Sequence, residues 1–128
     1  MTTTSAIVLF AHGARDPEWA EPFRRIAARL RKTRPQLQIQ LAFLELMQPS
    51  LDEAVASLAT DGVTRITLVP LFLAQGGHLK QDLPRLLKQI RSSHPGVIID
   101  VTEAIGDSEI LTAAIADWAL EQHLSFTA

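Results

Sequence analysis

Three side chains in this sequence are of types that bind divalent metal ions, and each comes at or shortly after the end of an apolar run. They are His12, Glu45 and His78. Two neutral imidazoles and a carboxylate suit a borderline ion such as Co²⁺, Fe²⁺, Ni²⁺ or Zn²⁺. Because such a set leaves coordination positions open, it favours transfer of the ion over storage. The pattern therefore indicates a site for metal handling.

Glycines flank two of these side chains. Gly13 follows His12, and Gly76 and Gly77 precede His78. A glycine allows a large flat ligand to approach the backbone, or allows the loop to adopt positive φ. A plain turn would also account for them. Each histidine alone also has a structural interpretation, because a histidine at a strand end often caps backbone groups. Their joint placement favours a shared site.

Composition excludes several classes of site and partner. The 128 residues include no cysteine, which removes disulfides, thiolate nucleophiles and cysteine-based metal sites. The net charge is -2, without a long run of either sign, so nucleic acid is not an expected partner. No apolar run is long enough to span a bilayer, and residues 1–5 lack the features of a secretory signal. We therefore expect a cytoplasmic protein with no membrane partner.

Four largely apolar segments predict four strands, the first of which is a continuous apolar run with β-branched members. They are residues 6–11, 37–44, 65–73 and 97–101. Helical patterns alternate with them. This alternation predicts an α/β fold, a doubly wound four-stranded parallel sheet with helices on both faces, in a flavodoxin-like architecture. No linker or repeat interrupts the pattern, so we expect residues 1–128 to form a single domain.

Residues typical of helix N-termini lie between these strand segments. Asp16 before Pro17 predicts an N-cap, Ser50 with Glu53 predicts a capping box, and Asp107 is the expected cap of the last helix. Apolar stripes at spacings of three and four predict the buried helix faces. For the third and fourth helices, the stripes are Leu83, Leu86, Leu87 and Ile90, and Ile110, Leu111, Ala114, Ile115 and Trp118.

In a sheet of this kind the ligand crevice lies beyond the carboxyl ends of the strands. The segments that follow the strands are residues 12–16, 45–50, 74–82 and 103–106. If the first strand lies between the second and the third, His12, Glu45 and His78 meet at one rim. Glu45 could instead pair with an arginine at the surface. His94 and His123 fall in a turn opposite the crevice and in the last helix, so we assign them no chemistry.

The motifs in these segments resemble those of the short CbiX-type class II chelatases, which include sirohydrochlorin cobaltochelatase and its ferrochelatase relatives. The motifs are AHGARDP at 11–17, FLELMQPSL at 43–51 and PLFLAQGGHLKQDLP at 70–84, in family order and separation. The third is the most specific, and the resemblance covers almost the whole chain. The first motif commonly reads HGSRD, so Ala14 replaces the usual serine and removes a hydroxyl from that loop.

The resemblance implies a chelatase-like architecture and a lyase-class metal chelatase that acts on sirohydrochlorin in cobalamin or siroheme-type biosynthesis. It assigns the metal to His12 and His78, while Glu45 corresponds to the glutamate of the second motif. Co²⁺ is the favoured ion, with Fe²⁺ or Ni²⁺ as alternatives. The ion is a substrate, and no cofactor is permanently bound. The short form of the family implies a homodimer that resembles the two-lobed longer chelatases.

This substrate also assigns roles to the neighbouring residues. Sirohydrochlorin carries many carboxylates, which Arg15, Lys80 and backbone N–H groups near Gly76 and Gly77 would bind. Gly13 joins them as an expected substrate contact. Isolated basic residues are otherwise usually solvated surface charges. Removal of the pyrrole protons falls to a histidine or to Glu45, with histidine favoured.

Two other functions use the same residues. A non-catalytic carrier of metal or tetrapyrrole would bind the same ligands and hold them for a partner. A phosphatase-type enzyme would use the histidine after the first strand together with Arg15. Such enzymes have an arginine before that histidine, where this chain has Ala11. A purely structural domain would leave the clustering of His12, Glu45 and His78 to chance.

Overall fold

The computed structural model describes residues 5–128 without the side chain of His78. Residues 1–4, from the segment predicted to lack a secretory signal, lie outside the described residues. Strands and helices alternate along the described chain, as predicted. They are β1 (Ser5–Ala11), α1 (Glu21–Thr33), β2 (Gln38–Phe43), α2 (Leu51–Thr60), β3 (Arg65–Pro70), α3 (Gly77–Ser93), β4 (Ile98–Val101) and α4 (Glu109–Thr127). Short 3-10 turns at Pro17–Ala20 and Ile105–Asp107 precede α1 and α4.

The strands form a parallel sheet in the order β2-β1-β3-β4. The predicted α/β class and the central position of the first strand are therefore confirmed. The register pairs Ala11 of β1 with Phe43 of β2, and Phe10 of β1 with Pro70 of β3. As a result, these three strands end at the same edge of the sheet. This edge carries the segments in which the sequence placed its candidate site.

Apolar side chains cover both faces of the sheet, because consecutive strand residues point to opposite sides. Val8, Phe10 and Leu68 belong to the larger cluster, which includes residues of α2 and α3. Leu9 packs on the other face, in a cluster with Ala27 of α1. Burying an aliphatic or aromatic side chain of this size contributes about 1.5–3 kcal/mol. Packing on both faces holds the sheet edge in a fixed geometry.

The connection from β3 to α3 is shorter than predicted. β3 ends at Pro70, earlier than expected, and α3 already begins at Gly77. Leu79 is buried and lies one helical turn before the buried Leu83, so the apolar stripe extends towards the N-terminus by one turn. Residues 77–82, which we expected to belong to the segment between the third strand and the third helix, are therefore helical instead. His78 lies in the first turn of a helix.

Helix α4 departs from its prediction in both cap and packing. Ser108 is the N-cap, and its Oγ accepts a hydrogen bond from Leu111 N–H at 3.4 Å. Asp107 was predicted to be the cap, but it ends a 3-10 turn, whereas Ser108 has the extended backbone that a cap requires. The predicted apolar stripe is not buried, since no residue of α4 is buried. Across the described chain, no helix has the length and apolar character needed to cross a bilayer.

Candidate functional site

The ends of β1 and β2 place His12 and Glu45 beside each other. Backbone hydrogen bonds continue beyond the last paired strand residues. Leu44 N–H donates to Ala11 O at 2.9 Å, and Glu45 N–H donates to His12 O at 3.1 Å. The backbone of both residues is therefore held by the sheet itself. The structure brings these two predicted site residues together at the carboxyl edge.

Their side chains are in direct contact. His12 Nε2 lies 2.9 Å from Glu45 Oε1, and the two side chains are 53% and 54% exposed. An ionised carboxylate only accepts hydrogen bonds, so in that state the shared proton belongs to Nε2 and the lone pair to Nδ1. A carboxylate that orients a histidine in this way is a common companion of metal-binding imidazoles. The pair is open to solvent and suited to present one nitrogen to a metal ion.

The backbone around this pair is tightly packed at Gly13. Gly13 is buried and has φ 96°, and an added Cβ would overlap the carbonyl oxygen of Glu45. The close approach of two backbones therefore requires glycine here, which gives Gly13 a structural role. Beyond Glu45, Leu46 has φ 63°, and Met47 N–H donates to Glu45 O at 2.8 Å. A left-handed conformation at leucine costs roughly 1–3 kcal/mol, so the loop next to the carboxylate stores strain.

A cavity of about 240 Å³ opens beside His12. Phe72 and Leu79 contribute apolar walls, and Asp82 contributes a carboxylate. The Phe72 ring meets the His12 imidazole edge-on, with centroids 6.3 Å apart and an angle of 82°. Pockets that enclose drug-sized ligands measure about 300–1,000 Å³. This cavity can therefore take an ion and the edge of a macrocycle, but not a whole macrocycle.

The N-terminal turn of α3 borders the same cavity. Gly76 is the N-cap of the helix and lines the cavity, and Gly77 is the first helical residue. An added Cβ at either position would meet no described atom within 4 Å. Packing therefore does not require glycine at these two positions, in contrast to Gly13. The exposed N–H groups of a helix N-terminus attract anions such as ligand carboxylates.

The remaining predicted site residues are His78, Arg15 and Lys80. His78 follows Gly77 in α3, and its side chain lies outside the described part of the structure. Arg15 and Lys80 are exposed, and neither contributes to the described cavity wall. Among the described side chains, no third His, Asp or Glu joins His12 and Glu45 in a cluster. Further metal donors would have to come from His78, the substrate or water.

Asp82 is a cavity residue that sequence analysis missed. It lies four residues after His78, so the two positions share one side of α3. The signal was present in the spacing, but it is informative only if residues 78–82 are helical. Because we placed residues 74–82 between a strand and the next helix, the relationship was not visible.

Comparisons with known proteins agree with one another. The family model described as CbiX matches residues 6–122. The sirohydrochlorin cobaltochelatase of Methanococcoides burtonii is 34% identical, over 94% of this chain and 98% of that protein. Among solved structures, a CbiX protein of Marinobacter aquaeolei VT8, whose description links it to cobalamin (vitamin B12) biosynthesis, is 36% identical. Its TM-score is 0.82, and the match covers 94% of this chain and 98% of that one.

SirB of Bacillus subtilis is similar over part of its length. Its structure with Fe³⁺ has a TM-score of 0.73 and covers 90% of this chain, and a cobalt complex from subspecies spizizenii has a TM-score of 0.71 and covers 84%. Both are 25% identical to this chain. In each case this chain spans 46% of SirB, so it corresponds to about half of that protein.

Proposed function

The chain belongs to the CbiX family, and on this premise we propose that it inserts a divalent metal ion into sirohydrochlorin. As a member of this family it is a metal chelatase, an enzyme of the lyase class. The observation that carries the proposal is the pairing of His12 with Glu45 at 2.9 Å, at an open sheet edge beside a cavity. Metal insertion needs a histidine that can bind an ion and release it, and this pair supplies one.

The ion would be held first by His12 and His78. Neutral imidazoles are suitable ligands for a borderline divalent ion, and they can be replaced one at a time by pyrrole nitrogens. Glu45 would orient His12 and make its free nitrogen a better donor, as carboxylates do for metal-bound histidines. Support for His78 comes from its place in the turn of α3 between Gly76 and Leu79, which both line the cavity.

Two pyrrole protons must leave as the ion enters the ring. A histidine that has released the ion has a free lone pair and can accept one of these protons. At His12 the carboxylate of Glu45, 2.9 Å from Nε2, would hold the imidazole in the orientation that this transfer needs. We therefore place proton removal on the histidines, with Glu45 as the positioning residue.

The macrocycle would be held by its carboxylates. The N–H groups at the start of α3, near Gly76 and Gly77, lie beside the cavity and offer an anion-binding surface. Arg15 and Lys80 are exposed cations on the segments that border the site, where they can reach carboxylates on the ring periphery. Gly13 would contribute by keeping the loop close to Glu45 and clear of the ring.

Co²⁺ is the ion we propose, within cobalamin biosynthesis, with Fe²⁺ or Ni²⁺ and siroheme-type biosynthesis as alternatives. The names of the relatives support cobalt, and the two SirB structures hold either iron or cobalt. Histidine and carboxylate ligands follow the general affinity order of these ions, so geometry and supply determine the choice. In this proposal the ion is a substrate and no cofactor stays bound.

We also propose that the enzyme is a homodimer of single-domain chains, each formed by residues 1–128. The described cavity is too small for a macrocycle, so a second surface must cover the rest of the substrate. SirB is about twice as long as the region matched here, which supports two copies of this chain as the counterpart of its two halves.

A turnover assay under anaerobic conditions tests the function. Sirohydrochlorin would be mixed with Co²⁺, Fe²⁺ or Ni²⁺ and a small amount of protein, and the absorbance of the metal-free ring followed. We expect many equivalents of product per chain. A carrier of metal or tetrapyrrole would stop at a stoichiometric amount. Absence of turnover with all three ions would overturn the proposal.

A further inference from the structure

Helix α1 carries a concentration of positive charge. Residues 24–34 contain six of the chain's 12 lysines and arginines, and residues 22–44 contain no aspartate or glutamate. The whole protein has a net charge of -2, so this segment is strongly basic in an otherwise acidic chain. Clustered charges of one sign attract oppositely charged ligands more strongly than isolated surface charges do. The helix is therefore a candidate surface for an anionic ligand.

A pocket of about 320 Å³ lies between α1, the edge strand β2 and the loop that follows β2. Arg24 and Arg31 supply its positive charge, since they are seven residues apart and share one side of α1. The other described side chains that line it are uncharged, and they are Gln40, Leu41, Phe43, Met47, Gln48 and Pro49. Two cations above a largely apolar wall suit an anionic group on an apolar body. We name this the β2-edge pocket.

Both guanidinium groups of this pocket are held by backbone carbonyls. Arg24 Nη1 donates to Pro17 O at 3.3 Å, and Arg31 Nη2 donates to Ile39 O at 2.9 Å. Arg24 Nη1 also lies 3.3 Å from Glu21 Oε2, but an exposed pair of this kind contributes little. A guanidinium has more N–H donors than these bonds use. Both arginines are therefore fixed in place with donors left for a carboxylate.

The β2-edge pocket and the cavity beside His12 lie on opposite faces of the sheet. Phe43 lines the pocket and packs in a cluster with side chains of α1, whereas Leu44 lines the cavity and packs against the cluster on the other face. Glu45 comes next in the chain, and Met47 lines the pocket again. A flat ring placed over His12 and Glu45 would therefore have one edge at the cavity and another at the pocket.

We propose that the β2-edge pocket is a second substrate-binding site, in which Arg24 and Arg31 bind a peripheral carboxylate of the tetrapyrrole. Carboxylates on one side of the ring are held at the start of α3, and one on the other side enters this pocket. Leu41 and Met47 cover the carbon chain that carries it. The two arginines thereby select rings with a carboxylate on this side, because a guanidinium left without its anion loses that binding energy. The inference rests on the chelatase function proposed above and names residues that recognise its substrate.

Neutral substitutions test the two arginines in turnover. Arg24→Gln and Arg31→Gln should each raise KM for sirohydrochlorin about 10-fold and leave kcat nearly unchanged, because the contact is the same in the bound ring and in the transition state. Arg29→Gln is the matched control, since Arg29 is exposed on the other side of α1 and does not line the pocket. Equal rises in KM for all three variants would indicate general attraction by the basic helix and overturn the inference.

The salt dependence of these effects distinguishes a contact with the substrate from a structural role. If Arg24 and Arg31 bind a carboxylate, added salt should raise KM of the unaltered protein and reduce its advantage over Arg24→Gln and Arg31→Gln. Arg29→Gln should follow the unaltered protein. An advantage that is the same at low and high salt would show that the arginines only support the loop and the strand edge, and the inference would be wrong.

Equilibrium binding tests the pocket without requiring metal insertion. Metal-free uroporphyrin carries carboxylates around its whole rim, whereas mesoporphyrin carries them at one edge only, and the fluorescence of each ring reports its binding. We expect the unaltered protein to bind uroporphyrin more tightly than mesoporphyrin. Arg24→Gln and Arg31→Gln should lose most of this preference, and Arg29→Gln should keep it. A preference that survives in both pocket variants, or its absence from the unaltered protein, would overturn the inference.

Metal insertion is measured on the same samples, so that the two proposals can fail separately. Turnover that is insensitive to both pocket variants would leave the chelatase function standing and remove the pocket. A preference for uroporphyrin that depends on Arg24 and Arg31, in a protein that inserts no metal, would leave the pocket standing and overturn the proposed function. If citrate alters turnover through these arginines while KM for the ring does not depend on them, the pocket binds a separate small anion and its assignment to the substrate is wrong.

Discussion

His12 Nε2 lies 2.9 Å from Glu45 Oε1, although the two residues are 33 positions apart in the chain. The parallel pairing of β1 with β2 creates this proximity, because both strands end at the same level of the sheet. Each side chain is about half exposed and contributes little to the core. Their contact is therefore better explained by function than by stability, since exposed ion pairs contribute about 0–1 kcal/mol.

Replacing His12 should abolish the chemistry and leave the fold intact. We expect His12→Ala to reduce the rate of metal insertion at least about 10²-fold, as expected for loss of a group that binds the ion and accepts a proton. The melting temperature should stay close to that of the unaltered protein, because the side chain is half exposed. His94→Ala is the matched control, since His94 caps the far end of α3. Normal turnover in His12→Ala would remove this residue from the site.

Replacing Glu45 should weaken the hold of His12 on the ion. In Glu45→Gln the side chain keeps its size and can still form a hydrogen bond with the imidazole, but it no longer carries a charge. We expect the affinity for Co²⁺ to fall about 10–100-fold, which is the usual effect of losing a carboxylate that orients a metal ligand. Calorimetric titration with Co²⁺ measures this directly. Unchanged affinity would show that Glu45 does not support the ligand.

Joint replacement of the two histidines tests whether they bind the same ion. We expect His78→Ala to be about as defective as His12→Ala in metal insertion. The double variant should be no worse than the poorer single variant, because either loss alone already releases the ion, and residues that act as a unit are not additive. Rates for the four proteins form the required cycle. Multiplied defects would indicate that the two side chains act independently.

The sequence was a good guide to this site wherever strand ends determine position. His12 directly follows β1 and Glu45 is the second residue after β2, and a parallel sheet in the order β2-β1-β3 leaves them adjacent. The hydrophobic pattern is sufficient to predict where such strands end, because buried parallel strands appear in the sequence as continuous apolar runs. Position along the strand then fixes which side chains share the edge.

The sequence was a poor guide to features that depend on the exact start of a helix or on whether a helix packs against its own chain. The start of α3 was missed because its first two turns carry Lys80, Gln81 and Asp82, and only Leu79 extends the buried stripe. For that reason Asp82 was not recognised as a cavity residue. The periodicity of α4 did predict a helix, but it could not reveal that its own chain leaves that helix uncovered.

The glycines of the site should respond differently to alanine. Gly13→Ala places a methyl group against the carbonyl of Glu45 at φ 96°, so we expect a loss of at least roughly 1–3 kcal/mol in unfolding free energy, together with reduced activity. Gly62→Ala is the control for backbone strain alone, since it has φ 89° with no described atom within 4 Å.

Gly77→Ala should behave in the opposite way. It adds a methyl group in open space at the start of a helix, so stability should be equal or slightly higher. Insertion should slow if the macrocycle approaches this backbone. Urea unfolding and turnover of the three variants separate the two effects. Equal destabilisation by Gly13→Ala and Gly77→Ala would contradict the packing described here.

Glu53 should make stability depend on pH through the capping box of α2. Its carboxylate accepts a hydrogen bond from Ser50 N–H at 2.9 Å, and Ser50 Oγ accepts one from Glu53 N–H at 3.2 Å. The backbone bond first, and the Ser50 side chain second, lower the pKa of Glu53 below 4.5. A folded-state pKa below the unfolded one means that the ionised carboxylate stabilises the fold. This stability is complete above the unfolded pKa and is lost as pH falls through the folded one.

Glu53→Gln isolates this effect, because glutamine can occupy the same position of a capping box without titrating. At neutral pH the unaltered protein should melt at a higher temperature than the variant, since a charge at the helix N-terminus also interacts favourably with the helix dipole. The difference should shrink as the pH is lowered from about 5, and vanish once Glu53 is protonated in the folded protein. Thermal melts of both proteins from neutral pH to about pH 3 measure it. A difference that stays constant across this range would show that the carboxylate of Glu53 is not held by Ser50 in solution.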